Sequence, residues 1–129
     1  MPTPPQVLTD VGYEIYCDIH KLWELDVPVV DFPIANLAWN FDLPLWDKDN
    51  TDDWNLTPRE VIEHVPGSTT HRQRVALADL QFPILLTEKQ GRWLVIDGVH
   101  RLVKAHEAGL ATIKAKIFTE EVIARYPSE

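Results

Sequence analysis

The side chains best suited to chemistry stand together in the run Asp97-Gly98-Val99-His100-Arg101. A carboxylate, an imidazole and a guanidinium lie within one turn of chain, and the glycine among them lets the backbone approach a ligand closely. The preceding run Trp93-Leu94-Val95-Ile96 is β-branched and aromatic, as a strand requires. After it, Val99, Leu102, Val103 and His106 fall at i, i+3, i+4 and i+7, which predicts an amphipathic helix over residues 99–108, with Gly109 at its C-terminal cap. A strand that turns directly into a helix presents unpaired amide groups and the positive end of the helix dipole, a ready anion site to which His100 and Arg101 add donors. Cations in a first helical turn oppose the dipole unless an anion is present. The plainer reading of the same residues has Asp97 capping the helix and Arg101 paired with an acid.

A second basic group, His71, Arg72 and Arg74, also opens a predicted helix, and an anion shared with the first group would account for both. Its plainer reading is pairing with the acidic first half of the chain. Asp47, Asp49 and Asp53 do not make a calcium loop, because Asp52 stands where glycine is needed and Pro58 where glutamate is needed, so a solvated acidic loop is expected. The histidines show no zinc-ligand spacing, and no metal ligands are assigned. His106, on the apolar stripe, reads as a core histidine, and Cys17 as an inert packing residue. Trp39, Trp46 and Trp54 lie in a Pro- and Asp-rich stretch where core packing is the first expectation; base stacking, a lid or a dimer anchor are the others.

These groups must be positioned by the elements around them. Pro2, Pro4 and Pro5 exclude a helix or central strand over residues 1–10, and Pro28 and Pro33 confine residues 26–33 to a sheet edge. A short helical turn follows within residues 31–38, then an ordered loop pinned by aromatics. Thr57-Pro58-Arg59-Glu60 is a helix start with a capping box and Pro at its first position. A second helix over residues 71–80 turns Val75, Leu77, Ala78 and Leu80 inward. Residues 82–86 and 92–96, separated by Glu88-Lys89-Gln90-Gly91, form a hairpin; Ile113, Ala115 and Ile117 mark a last strand, and Thr119 caps a terminal helix.

The chain has 129 residues, 45% hydrophobic and 25% charged, which suits one domain with a single core. Its net charge of −8 disfavours DNA as a partner. That average conceals an asymmetry: residues 1–65 hold 13 acids and 3 bases, whereas residues 66–129 hold 7 acids and 9 bases. An acidic, Trp- and Pro-rich N-terminal part (residues 1–66) thus precedes an anion-tolerant core (residues 67–129). A single cysteine, no apolar leader and no run near the ~20 residues that cross a bilayer predict a cytoplasmic protein without a membrane partner.

The order strand, Asp-Gly-Val-His-Arg, helix, Gly109, strand resembles the ParB and sulfiredoxin superfamily over roughly residues 80–118, with Pro83-Ile84 matching the Pro-Ile strand of that superfamily. The resemblance implies a single α+β domain: a small mixed sheet with helices packed against one side. It also implies that Gly98, His100 and Arg101 bind nucleotide phosphates, with His71 and Arg72 near the ligand. Sulfiredoxins place a reactive cysteine immediately before His-Arg, where this chain has Val99, so sulfinic-acid reduction is not expected. ParB partition proteins continue into a helix-turn-helix region, whereas this chain ends about ten residues after its last strand, which argues against a DNA clamp. A nuclease, the label attached to ParB-like domains, ranks last because the acidic charge repels long DNA. The free serine kinases of the superfamily have a similar Asp-Gly-x-x-Arg turn, which Asp97 and Arg101 match. Two readings stay open. One is a nucleotide-dependent phosphotransferase or hydrolase using ATP, ADP or CTP with Mg²⁺, in which Asp97 and His100 are catalytic. The other is a noncatalytic regulatory or protein-interaction module, with a homodimer or a protein partner engaging the Trp-rich acidic region.

Overall fold

The hairpin forms as β2 (Ile84–Lys89) and β3 (Arg92–Asp97). Gln90 and Gly91, which link them, take φ values of 55° and 74°, the pair of positive angles that matches a tight turn to the twist of its strands. After β3 comes α5 (Val99–Glu107), and the chain returns as β4 (Thr112–Ile117), parallel to β2. The first half of the chain adds β1 (Val30–Pro33), antiparallel to β4, so the mixed sheet runs β1-β4-β2-β3. Its prolines hold β1 at an edge, as expected. The computed structural model describes residues 3–13 and 15–128. Its other helices are α1 (Gln6–Asp10), α2 (Ile19–Glu24), α3 (Pro58–Ile62), α4 (Thr69–Leu77) and α6 (Glu120–Ala124), with 3₁₀ turns at Ile34–Asn36 and Ala38–Asp42. Among the described residues, no helix is long and apolar enough to cross a membrane.

The expected α+β sheet with packed helices is present, but helices cover both of its faces. Phe41, Val75, Leu86, Leu102 and Val103 form the core beneath α3, α4 and α5, while Leu22 of α2 and Ile123 of α6 pack with Leu85 and Phe118 on the opposite face. The consecutive buried residues Ile84, Leu85 and Leu86 carry this information, since an unbroken apolar strand buries both of its sides. Residues 1–10 also depart from expectation: the prolines precede the short α1, for which Pro5 is the N-cap, while Met1 and Pro2 lie outside the described residues.

The free edge of β3 is closed by side chains from the first half. The Trp93 carbonyl accepts hydrogen bonds from Trp39 Nε1 (3.0 Å) and Asn40 Nδ2 (3.1 Å). The Tyr13 hydroxyl accepts from the Val95 amide (3.3 Å) and offers its proton to Asn40 Oδ1 (2.8 Å) and the Val95 carbonyl (3.1 Å). Polar groups that would otherwise invite another strand are thereby satisfied.

Three helix ends matter for the site. The Thr57 capping box forms as read. Helix α4 has no side-chain cap from Ser68; instead the Asp49 carboxylate accepts from the Thr69 and Thr70 amides at 3.2 and 3.1 Å, so this part of the acidic loop is a helix cap rather than a solvated run. At its other end α4 stops at Leu77, short of the predicted residue 80, because Lys104 Nζ takes the Ala76 and Ala78 carbonyls at 2.9 and 2.7 Å. Of the inward stripe, Val75 is buried and Leu80, beyond the helix end, still packs half-buried against the core, whereas Leu77 is 85% exposed. His106 is exposed as well, touching Phe41 edge-on at 5.1 Å, and Ala105 occupies the core position instead.

Candidate functional site

The strand-to-helix turn forms where it was read. Gly98 is the N-cap of α5 at φ 108°, a left-handed angle that favours glycine. A Cβ there would lie 2.6 Å from Ile84 Cγ2 and 2.9 Å from Arg101 Nη1, so the backbone approaches Ile84 closely, and packing by itself requires the glycine. Among the described residues Asp97 does not cap the helix, whose N-cap is Gly98. A register shift between Leu85 and Leu86 pairs Asp97 with Leu85 and Val95 with Leu86. Strand alternation would place Asp97 on the face of Val95; the bulge turns it to the face of Leu85, where Trp23 Nε1 donates to Asp97 Oδ2 at 3.0 Å. Arg101 also meets Trp23, its guanidinium 5.3 Å from the ring centre, and donates from Nη1 to the Pro83 carbonyl at 3.3 Å. Among the described residues, neither Arg101 nor Arg74 forms an ion pair.

His71 and His100, far apart in sequence, meet with His71 Nδ1 2.9 Å from His100 Nε2. Their ring planes differ by 7° and their centroids are 5.2 Å apart, so the two imidazoles lie edge to edge in one plane. Trp46 lies flat against both, with centroids 4.5 Å from His71 at 9° and 4.3 Å from His100 at 13°. The Trp46 backbone is held by hydrogen bonds in both directions with Leu56, and Asp47 Oδ1 accepts from the Trp54 amide at 2.6 Å. Burial, then the neighbouring His71, Arg74 and Arg101, push the His100 pKa down to about 4. Burial and Arg74 lower that of His71 too, against the Asp47 backbone and the nearby Asp49 and Asp47 carboxylates. Both rings are therefore neutral at pH 7 and share one hydrogen between their facing nitrogens.

Asp97, Gly98, His100 and Arg101 line a cavity of about 370 Å³ together with Arg74, Asp79 and the exposed Leu77 and Phe82. Two guanidinium groups face two carboxylates there, and the amino terminus of α5 adds amides that have no partner within the helix. Such a cavity can hold an anion at the arginines and the helix start while placing a carboxylate and a neutral imidazole beside it. A neighbouring cavity of about 340 Å³, lined by Trp46, Asp47, Asp49, Thr70 and His71, shares Arg74. Arg72 stands apart from both: it donates from Nη1 to both Glu107 carboxylate oxygens, at 3.0 and 2.8 Å. His71 reaches the site through His100.

Reading the sequence alone missed Trp23; it placed Arg74 in the second basic group but favoured His71 and Arg72 near the ligand, and it gave Trp46 a lid or stacking role only as an alternative to core packing. Arg74 follows His71 by three residues, one helical turn, which was the available signal. No pattern ties Trp23 to Asp97 or Trp46 to the histidines, since both contacts depend on tertiary placement. Cys17 is half-buried, and burial and the Asp18 carboxylate raise its pKa, in keeping with an unreactive thiol.

No family model matches this chain, and neither does any curated protein. Among solved structures it is similar to sulfiredoxin from Arabidopsis thaliana, at 24% identity over 76% of this chain and 94% of that one, with a TM-score of 0.38.

Proposed function

We propose that this protein binds the phosphates of a nucleotide in the cavity between α4 and α5 and uses Asp97 and His100 for phosphoryl transfer or hydrolysis. The observation that carries the reading is the convergence of Arg74, His100 and Arg101, from two helices, on one cavity at the start of α5, with both arginines free of acid partners among the described residues. A helix start and two guanidinium groups suit phosphate oxygens. Leu77 and Phe82, 85% and 55% exposed at the same cavity, offer an apolar wall for the base. Asp97 would repel a polyphosphate unless a cation lay between them. Mg²⁺ is commonly held by one or two carboxylates plus phosphate oxygens, and among the described residues Asp97 Oδ1 forms no hydrogen bond that would prevent this. Bound there with ATP, ADP or CTP, it would supply charge neutralisation at the transferred group.

Thermal stability should be measured with ATP, ADP, CTP and GTP, each with and without Mg²⁺, for the wild type and Arg101→Ala. Ligand at about 100 times its dissociation constant stabilises the native state by ~2.7 kcal/mol, a rise of several degrees for a domain of this size. The expected result is a rise with at least one nucleotide that Arg101→Ala abolishes, followed by turnover that Asp97→Asn removes. No rise with any nucleotide would sink the proposal. Binding without turnover would leave the noncatalytic module in its place.

A further inference from the structure

A cavity of about 510 Å³, larger than either beside the histidines, lies between α1, the loop of residues 45–56 and the β3–α5 turn. Leu8 reaches it from α1, Tyr13 and Tyr16 from the chain that follows, Leu45 and Trp54 from the loop, and Val99 from the first turn of α5. Apolar side chains ordinarily close such a space by packing together, and protein interiors hold few voids larger than a water molecule. Leu8, Tyr13, Leu45 and Trp54 instead belong to neither of the two cores. Trp54 is held at the cavity under strain: its φ of 50° is a left-handed angle that bulky residues seldom adopt, kept by Asp47 Oδ1, which accepts from its amide at 2.6 Å. The Tyr13 hydroxyl is engaged with Asn40 and Val95 at the β3 edge, so Tyr13 offers the cavity its ring.

The cavities beside the histidines are lined by arginine and aspartates, whereas among the described residues no charged side chain lines this one. A charged ligand entering it would lose hydration without meeting an opposite charge. Water is poorly held there as well, because an ordered water needs several polar partners. We infer that this cavity binds a neutral aromatic molecule of two to three rings, seated against the Trp54 and Tyr13 side chains. Its volume lies in the range of small-molecule sites, and aromatic rings attract one another in offset or edge-on contact. Trp54 Nε1 and the Tyr16 hydroxyl make no hydrogen bond among the described residues, and both can donate to an oxygen on the rim of such a molecule. The inference goes beyond the proposed function and does not rest on it: the two cavities flank the same turn but share no lining residue.

The test is a fluorescence titration of the full chain with N-phenyl-1-naphthylamine, a neutral three-ring probe that brightens out of water. Its sulfonated relative 1-anilinonaphthalene-8-sulfonate has the same ring skeleton and a negative charge. Saturable brightening is expected with the neutral probe, at a Kd lower by about tenfold or more than that of the charged one. Amide NMR with the neutral probe should show the signals of Tyr13, Trp54, Ile96 and Val99 moving most. Trp54→Ala should raise the Kd about tenfold or more, and Trp54→Phe, which keeps a ring, less than about threefold. Tyr16 is 68% exposed, so Tyr16→Asp should leave the fold intact while a charge at the mouth raises the Kd about fivefold or more; that variant decides the matter if Trp54→Ala does not fold. No saturable brightening, equal affinity for the two probes, movement confined to other residues, or an affinity that Tyr16→Asp and a folded Trp54→Ala leave unchanged would overturn the inference.

Discussion

The β3–α5 turn and the acidic loop of residues 45–56 meet at the same site and contribute in opposite ways. The turn carries the reactive groups, and local rules shape it: a strand, a left-handed glycine and a helix start. The loop carries no chemical motif, yet it supplies Trp46 under both histidines and the Asp49 cap on α4. Reactive side chains can therefore be found by their spacing, whereas the parts that set their protonation are found only by contact. The charge asymmetry between the halves follows the same division, since the acidic first half steers and caps what the second half presents.

The comparison can be broken first at the turn. Gly98→Ala places a methyl group against Ile84 at a left-handed φ, and should cost about 3 kcal/mol in a urea unfolding experiment, combining backbone strain and overpacking. A loss under about 1 kcal/mol would mean that the turn relaxes and is less constrained than described. Striking the loop instead, Trp46→Ala removes a half-buried indole and should cost about 2–3 kcal/mol. Because it also rehydrates the histidines, an NMR titration should find His100 moved from about 4 toward 6.5; an unmoved His100 would detach the loop from the site's electrostatics.

A smaller effect lies in pH. His100 titrates at about 4 when folded against 6.5 in the unfolded chain, so between these values the unfolded state binds the extra proton. Stability should fall as pH drops from about 6.5 to 4, with His100 contributing roughly 1–2 kcal/mol once its partial exposure to solvent is discounted. His100→Asn should flatten that part of the profile. An equally steep profile in the variant would place the effect elsewhere. The smallest change is expected from Arg72→Ala, which breaks the pair with Glu107 and should cost about 1 kcal/mol or less while leaving any nucleotide-induced rise in melting temperature intact. Loss of that rise would return Arg72 to the site.

Much of the fold was legible. The hairpin, the α5 stripe, β4 with its alternating Ile113 and Ala115, and the caps at Thr57 and Thr119 follow from period and capping chemistry, which act over a few residues. Helix α2 was not, because its six residues are too few to show a helical period, and nothing local says that it packs on the second face. Within the site, Asp97, Gly98, His100 and Arg101 were legible as one group and line one cavity. The bulge that turns Asp97 toward Trp23 could not be read, since it depends on how β2 pairs with β3. His106 misled because its spacing matches the buried stripe while the helix surface there is already open to solvent. Arg72 and Arg74 differ by half a helical turn, and that rotation sends one to Glu107 and the other to the cavity.

The most direct test of the central claim is an amide NMR titration of the ¹⁵N-labelled chain with Mg-ATP, supplemented by Mg-CTP and Mg-GTP. Binding in the cavity predicts that the amide signals of Gly98, Val99, His100 and Arg101, together with that of Arg74, move saturably and more than the rest. No saturable movement with any of the three, or movement confined to the far side of the sheet, would contradict it.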